Sequence, residues 1–348
     1  MQAGMHTLLD DDILRLIVSQ LPRWKVRALA QIPFFRTAAL DELYRICNDD
    51  WPFLTNIFVD RSVATAQHQD CIGHPPADEA QFSALWRQTQ FWTSRAIIIA
   101  WSDIYPHGCM HCVYSAAKAL SERAPSPLYP KAVVVDCFIT SALGLETFAL
   151  WALFPRTLTK LDITVTLDGC HGRLAHVLRD LPALEHLHVN TERTTDTPLA
   201  LDSYSGLSAM LRVLEIEDTR ALTFDDAMLR ELIGGYPRLT ALSLNPWPKH
   251  VGDRDALPSL RCLEVLSAQP SPASYAPALE RFAALLRFEP VNWDLPPPRP
   301  NRLRELNFGA SRSCDGMDDV KAYVRRLFPG AKVRAKSTGV AEMDKDEM

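Results

Sequence analysis

Along the second half of the chain, apolar and polar positions follow one repeated phrase, Leu-x-x-Leu-x followed by Leu, Ile, Val or Phe. It occurs at Leu158/Leu161/Ile163, Leu184/Leu187/Val189, Leu211/Leu214/Ile216, Leu239/Leu242/Leu244, Leu260/Leu263/Val265 and Leu303/Leu306/Phe308. The last two apolar positions of each phrase lie two residues apart, which puts both side chains on one face of a β-strand. The opening leucine enters the same core from the turn before the strand. An amphipathic segment precedes each copy. Pro155, Pro182, Pro237 and Pro258 stop that segment two or three residues before the leucine. One such unit cannot bury its apolar side alone, so successive units must stack.

The opening leucines are 26, 27, 28, 21 and 43 residues apart by subtraction of their numbers. The first three intervals fall in the roughly 20–29-residue period of leucine-rich repeats. The pattern resembles that family, which implies an α/β solenoid with a curved parallel sheet and outer helices over 95–335. Buried strands are predicted at 97–99 and 133–135, alternating with helices near 111–122 and 141–153. Residues 95–154 therefore read as degenerate repeats. Later helices are predicted at 171–181, 225–234, near 276–288 and at 320–328, with a closing strand at Val333. Residues 336–348 are small and charged and read as a disordered tail.

The N-terminus has a different rhythm. Ile13, Leu16, Ile17 and Leu21 recur at helical spacing behind an acidic trio suited to a positively polarised helix start, and Pro22 ends that helix. A second short helix is predicted through Val26, Leu29 and Ile32. A third begins at Pro33 and carries Phe34, Phe35, Leu40, Leu43 and Ile46. A bundle this small holds little core of its own and leans on a partner or on the next domain. Residues 49–94 read as a linker and an irregular helical segment, with a loop at 67–80. A helix over 79–92 is expected to turn Phe82, Leu85, Trp86 and Phe91 inward.

Residues 1–48 resemble an F-box. Leu9, Asp11, Asp12, Ile13, Leu14, Ile17, Leu21 and Pro22 match the opening of that motif in order, and Val26, Leu29, Ile32 and Phe35 suit its second half. Asp10 stands where the family usually has proline, and Pro33 where cysteine or serine is common. The resemblance implies the substrate-recognition subunit of a Skp–cullin–F-box ubiquitin ligase. The Skp-type adaptor would be gripped through Leu9, Ile13, Ile17, Leu21, Pro22, Val26, Leu29, Ile32 and Phe35, and a target protein by the repeats. The chain itself would be a non-catalytic receptor acting by proximity. The alternative is a leucine-rich-repeat scaffold with no ubiquitin role, whose N-terminal helices only cap the open end of the solenoid.

Composition narrows the classes further. Hydrophobic residues at 47% and charged residues at 23% describe an ordinary globular chain, and a net charge of -5 gives no reason to expect nucleic acid or an anionic membrane. No run approaches the roughly 18 apolar residues of a membrane span. Eight scattered cysteines without a secretion signal predict reduced thiols in a cytoplasmic or nuclear protein.

In a solenoid of this kind, residues flanking the buried strand positions face the concave side. They are Lys160, Asp162, His186, His188, Asn190, Glu215, Glu217, Ser243, Asn245, Glu264, Glu305 and Asn307. Five carboxylates against one lysine suit a polypeptide with basic character; the plainer reading is a solvated face. His186 and His188, near Glu215, are candidates for titration near neutrality. His107, Cys109, His111 and Cys112, with Cys71 and His74, carry metal-ligating chemistry, but the run is too crowded for one tetrahedral zinc, and core or loop roles fit better. Gly206-Leu207-Ser208-Ala209 lacks the second glycine of a nucleophile elbow and reads as a helix start. The prolines at 296–298 suit either an aromatic groove or a stiff loop. No phosphate-cradling glycine loop or dinucleotide fingerprint is present, and no cofactor is expected.

Overall fold

The computed structural model describes residues 11–48, 78–103, 110–150, 157–167, 170–192, 201–251, 256–267, 279–288, 302–309, 311 and 317–334. It is an α/β chain with parallel strands, divided into two compact units, Met1–Leu161 and Asp162–Met348. Leu9, the prolines at 296–298 and the tail at 336–348 lie outside the described residues.

The first unit opens with three helices, α1 (Asp11–Ser19), α2 (Arg23–Leu29) and α3 (Arg36–Leu43). Their core is Leu14, Val18, Val26, Ala30, Ala38 and Ala39, with Leu21, Leu29, Phe34, Phe35, Leu40 and Leu43 packed against it. Leu14 and Val18 lie one turn apart, so α1 buries the face opposite Ile13, Leu16 and Ile17. Three expected placements shift: α3 ends at Leu43, so Ile46 is a strand residue and not part of the helix, while α2 ends at Leu29 and α3 starts at Arg36, which leaves Ile32 and Pro33 in the connecting turn. There the proline ring disfavours helical backbone in the residue before it.

Strand β1 (Ile46–Asn48) pairs in parallel with β2 (Ile98–Ser102), and β2 with β3 (Val134–Ile139). Between β1 and β2 runs α4 (Glu79–Thr93), whose N-cap Asp78 accepts from the Ala80 amide at 3.1 Å. It buries Phe82, Trp86, Thr89 and Thr93, a strict four-three-four spacing. Phe91 falls off that stripe and is 44% exposed, contrary to expectation. Helices α5 (Met110–Arg123) and α6 (Ala142–Phe148) follow β2 and β3. The strands bury Ile99, Trp101, Val135, Cys137 and Ile139. At the end of β2 the buried Asp103 carboxylate accepts four hydrogen bonds at 2.7–2.9 Å, from the amides and hydroxyls of Thr140 and Ser141. Ser141 in turn caps α6 by accepting from the Gly144 amide.

The boundary between the units falls within β4 (Lys160–Val165). In the second unit the strands follow in sequence order: β5 (His186–Thr191), β6 (Val213–Asp218), β7 (Ala241–Leu244), β8 (Arg281–Ala284), β9 (Glu305–Asn307) and β10 (Lys332–Arg334). Each pair from β5 to β10 is parallel. Helices α7 (His171–Arg179), α8 (Asp226–Gly234), α9 (Cys262–Ser267) and α10 (Met317–Leu327) fill the connections. Five of the six leucine phrases form strands with every apolar member buried.

The exception is Leu260/Leu263/Val265, which lies in and just before α9, so Glu264 is a helix residue and not part of the strand face. The strand expected there is β8, in a stretch expected to be helical. Its phrase is Leu279/Phe282/Ala284, all buried, with alanine where the others carry a large closing side chain. Gly206 is likewise not a helix start. It has φ 71° and follows a 3-10 turn over Leu201–Tyr204. At Gly309, φ is 54° and a Cβ would collide with the Pro246 carbonyl oxygen, so only glycine fits the close approach.

Candidate functional site

Two surfaces stand out, each within one unit. On the first unit, the bundle core draws Leu14, Val18 and Val26 inward, which leaves Ile13, Leu16, Ile17, Trp24 and Ile32 between 43% and 68% exposed. Of the residues expected to contact an adaptor, Ile13, Ile17, Pro22 and Ile32 are exposed. Leu21, Leu29 and Phe35 are half-buried against the core, and Val26 is buried at 1% and available only to its own bundle. Leu16 and Trp24 join the exposed set instead. The signal for Leu16 was legible, because Leu14 and Val18 form a competing apolar pair at helical spacing.

On the second unit, register sets the open strand face. His188 sits opposite Glu215, which sits opposite Ser243, and that row continues through Ala283, Asn307 and Arg334. Asn190 lies opposite Glu217, and the row through His186, Val213, Ala241, Arg281 and Glu305 ends at Lys332. His186 is exposed, and Asp162, Asn190 and Ser243 are half-exposed; Lys160, also exposed, belongs to the first unit.

The expected excess of negative charge is mostly cancelled within the molecule. His188 Nδ1 lies 2.9 Å from Asp162 Oδ1, and its Nε2 lies 3.7 Å from Glu217 Oε2. The second distance is an ion-pair separation, longer than a hydrogen bond. Glu217 first and then Asp162 hold the proton on the imidazole against the opposing effect of burial, and its pKa rises to about 9. Glu217 is correspondingly lowered by His188. His188 is therefore a cation at neutral pH and does not titrate near neutrality as expected. Arg334 Nε takes Glu305 at 2.8 Å. Glu264, off the face on α9, accepts from the Tyr323 hydroxyl at 3.1 Å. Glu215 has no ion-pair partner among the described residues.

Asn245 also leaves the face. It is 2% exposed with φ 46°, and its amide donates to the carbonyls of Asp218 and Arg220. The adjacent Asp218 carboxylate, buried too, accepts from Thr191 Oγ1 at 2.6 Å and from the Arg220 amide at 2.9 Å. These groups satisfy turn backbone at the strand ends and are structural.

Among the described residues no group of His, Cys, Asp or Glu is arranged to hold a metal ion. Cys71, His74, His107 and Cys109 lie outside them, as does the Cys112 side chain, and His111 is exposed. Among the described residues, no helix is long and apolar enough to cross a membrane. Cys137, Cys170 and Cys262 are buried, and burial pushes the Cys262 thiol up to about 12, which keeps it protonated. Compared with family models and with curated proteins, the sequence matches none.

Proposed function

We propose that this chain is the substrate-recognition subunit of a Skp–cullin–F-box type ubiquitin ligase. In this reading its N-terminal helices bind a Skp-type adaptor. Its strands stack as leucine-rich repeats, and their open face receives a target protein. The observation that carries the reading is the exposed apolar set Ile13, Leu16, Ile17, Trp24 and Ile32 on a bundle with a separate small core. Isolated surface hydrophobes are ordinary, whereas a helix that presents one apolar face inward and a second outward has a surface suited to a partner. The chain then does no covalent chemistry and acts by holding target lysines beside a charged enzyme at high effective concentration.

A second reading keeps the repeats and drops the adaptor, with the helices serving only as an end cap. It draws support from the ties between the end of the bundle and the segment leading into β2: Arg95 Nε pairs with Asp41 of α3 at 3.1 Å, and the Ile97 amide donates to the Arg45 carbonyl just after α3. Co-expression with a Skp-type adaptor separates the two. The receptor reading expects co-purification that Ile17→Asp abolishes while circular dichroism stays unchanged. The cap reading expects no co-purification.

A further inference from the structure

A pocket of about 510 Å³ in the first unit has no role in the reading above and does not depend on it. Arg23 and Arg27 of α2 and Arg36 of α3 line it, together with Tyr44, Phe91 and Trp92. The two α2 arginines are four residues apart and project from the same helical face. None of the three guanidiniums has an ion pair or side-chain hydrogen bond with a described residue. The carboxylates on α3 are already engaged by other arginines: Asp41 by Arg15 at 3.3 Å and Arg95 at 3.1 Å, Glu42 by Arg45 at 3.2 Å. Among the described residues the pocket is thus lined by three uncompensated cations and by no carboxylate.

Its other wall is aromatic. Tyr44 and Trp92 have ring centroids 4.6 Å apart, and Phe91 meets Trp92 edge-on at 4.5 Å. Phe91 carries the Arg95 guanidinium 4.4 Å from its centroid and is still 44% exposed. A surface that places flat rings beside planar, fork-shaped donors matches a ligand with the same two parts. Rings stack on planar bases, and guanidiniums take phosphate oxygens two at a time. The volume falls in the roughly 300–1,000 Å³ range of small-molecule sites.

We propose that this pocket binds a nucleoside phosphate, with its base held against the aromatic wall of Trp92 and Phe91 and its phosphates held by Arg23, Arg27 and Arg36. Binding leaves the ligand chemically unchanged. Because α2 and α3 both contribute, an occupied pocket also braces the bundle against α4.

The test is titration of the full chain with ADP, adenosine and inorganic pyrophosphate, followed by tryptophan fluorescence and calorimetry. ADP is expected to bind at least tenfold more tightly than either fragment. Arg27→Gln is expected to weaken ADP at least tenfold, and Arg27→Gln with Arg36→Gln to remove binding. Both arginines are exposed, so an unchanged melting temperature of the unliganded variants separates lost binding from lost fold. Absence of ADP binding, equal binding by the double variant, or pyrophosphate binding as tightly as ADP overturns the proposal. So does binding of a phosphotyrosine peptide in place of ADP.

Discussion

His188 Nδ1 stands 2.9 Å from Asp162 Oδ1 across two neighbouring strands, and the same ring reaches Glu217 on its other side. One imidazolium between two carboxylates couples stability to pH. The folded pKa, about 9, lies above the ordinary value of 6.5, so the folded state favours the proton. The stabilisation is complete below about 6.5 and is lost as pH rises through 9. Glu217 sets the acid limit: its lowered pKa means that its contribution is present above its unfolded value and lost as pH falls through the folded one. These are two views of one interaction and are not additive. Half-exposed carboxylates screen it, which leaves about 1 kcal/mol. Denaturant titrations at pH 6 and pH 10 should show that loss in the wild type, and His188→Gln should flatten it. A pH dependence unchanged in His188→Gln would contradict the assignment.

Asp103 accepts the amides of Thr140 and Ser141 at 2.7 Å each inside the first unit. Asp103→Ala removes the acceptor from two backbone donors and should cost about 2–4 kcal/mol. Denaturant unfolding reads the loss. A change within about 0.5 kcal/mol would show that water or neighbouring carbonyls take over.

Gly309 combines φ of 54° with a Cβ position that collides with the Pro246 carbonyl. Gly309→Ala should therefore destabilise by about 2–4 kcal/mol, part from left-handed backbone and part from displaced neighbours. Gly172 offers the control: nothing lies within 4 Å of its Cβ position and it sits in α7, where Gly172→Ala should be neutral or stabilising. Equal thermal shifts for the two variants would contradict the packing at β9.

The parallel strands were legible wherever large apolar residues occupied all three phrase positions, as at Leu214 and Ile216 of β6. Where packing accepts alanine the phrase itself is hidden: Ala96/Ile99/Trp101, Ala132/Val135/Cys137 and Leu279/Phe282/Ala284 are all buried. The first two strands were still legible from their β-branched runs, and only the one at Leu279/Phe282/Ala284 was missed. An alanine there carries no more periodic signal than any small residue. Leu260 and Leu263 misled for the converse reason, because two leucines three apart satisfy a helix face as readily as the opening of the phrase. The charge of the strand face was misread because sequence alternation shows which residues point outward but not which of them pair. His188 with its two carboxylates, and Arg334 with Glu305, appear only once register is set. Which apolar face of α1 turns inward was not legible, because Ile13, Leu14, Ile17 and Val18 support two overlapping helical stripes and tertiary packing chooses between them.

The proposed adaptor interface makes the most direct demand. Purified chain and Skp-type adaptor should form a stable complex by size exclusion and calorimetry. The Ile13→Asp, Ile17→Asp double variant should weaken it at least a hundredfold, with the three-helix core of Leu14, Val18 and Val26 still folded by circular dichroism. Absence of a complex with the wild-type chain, or equal affinity for the folded double variant, would contradict the account.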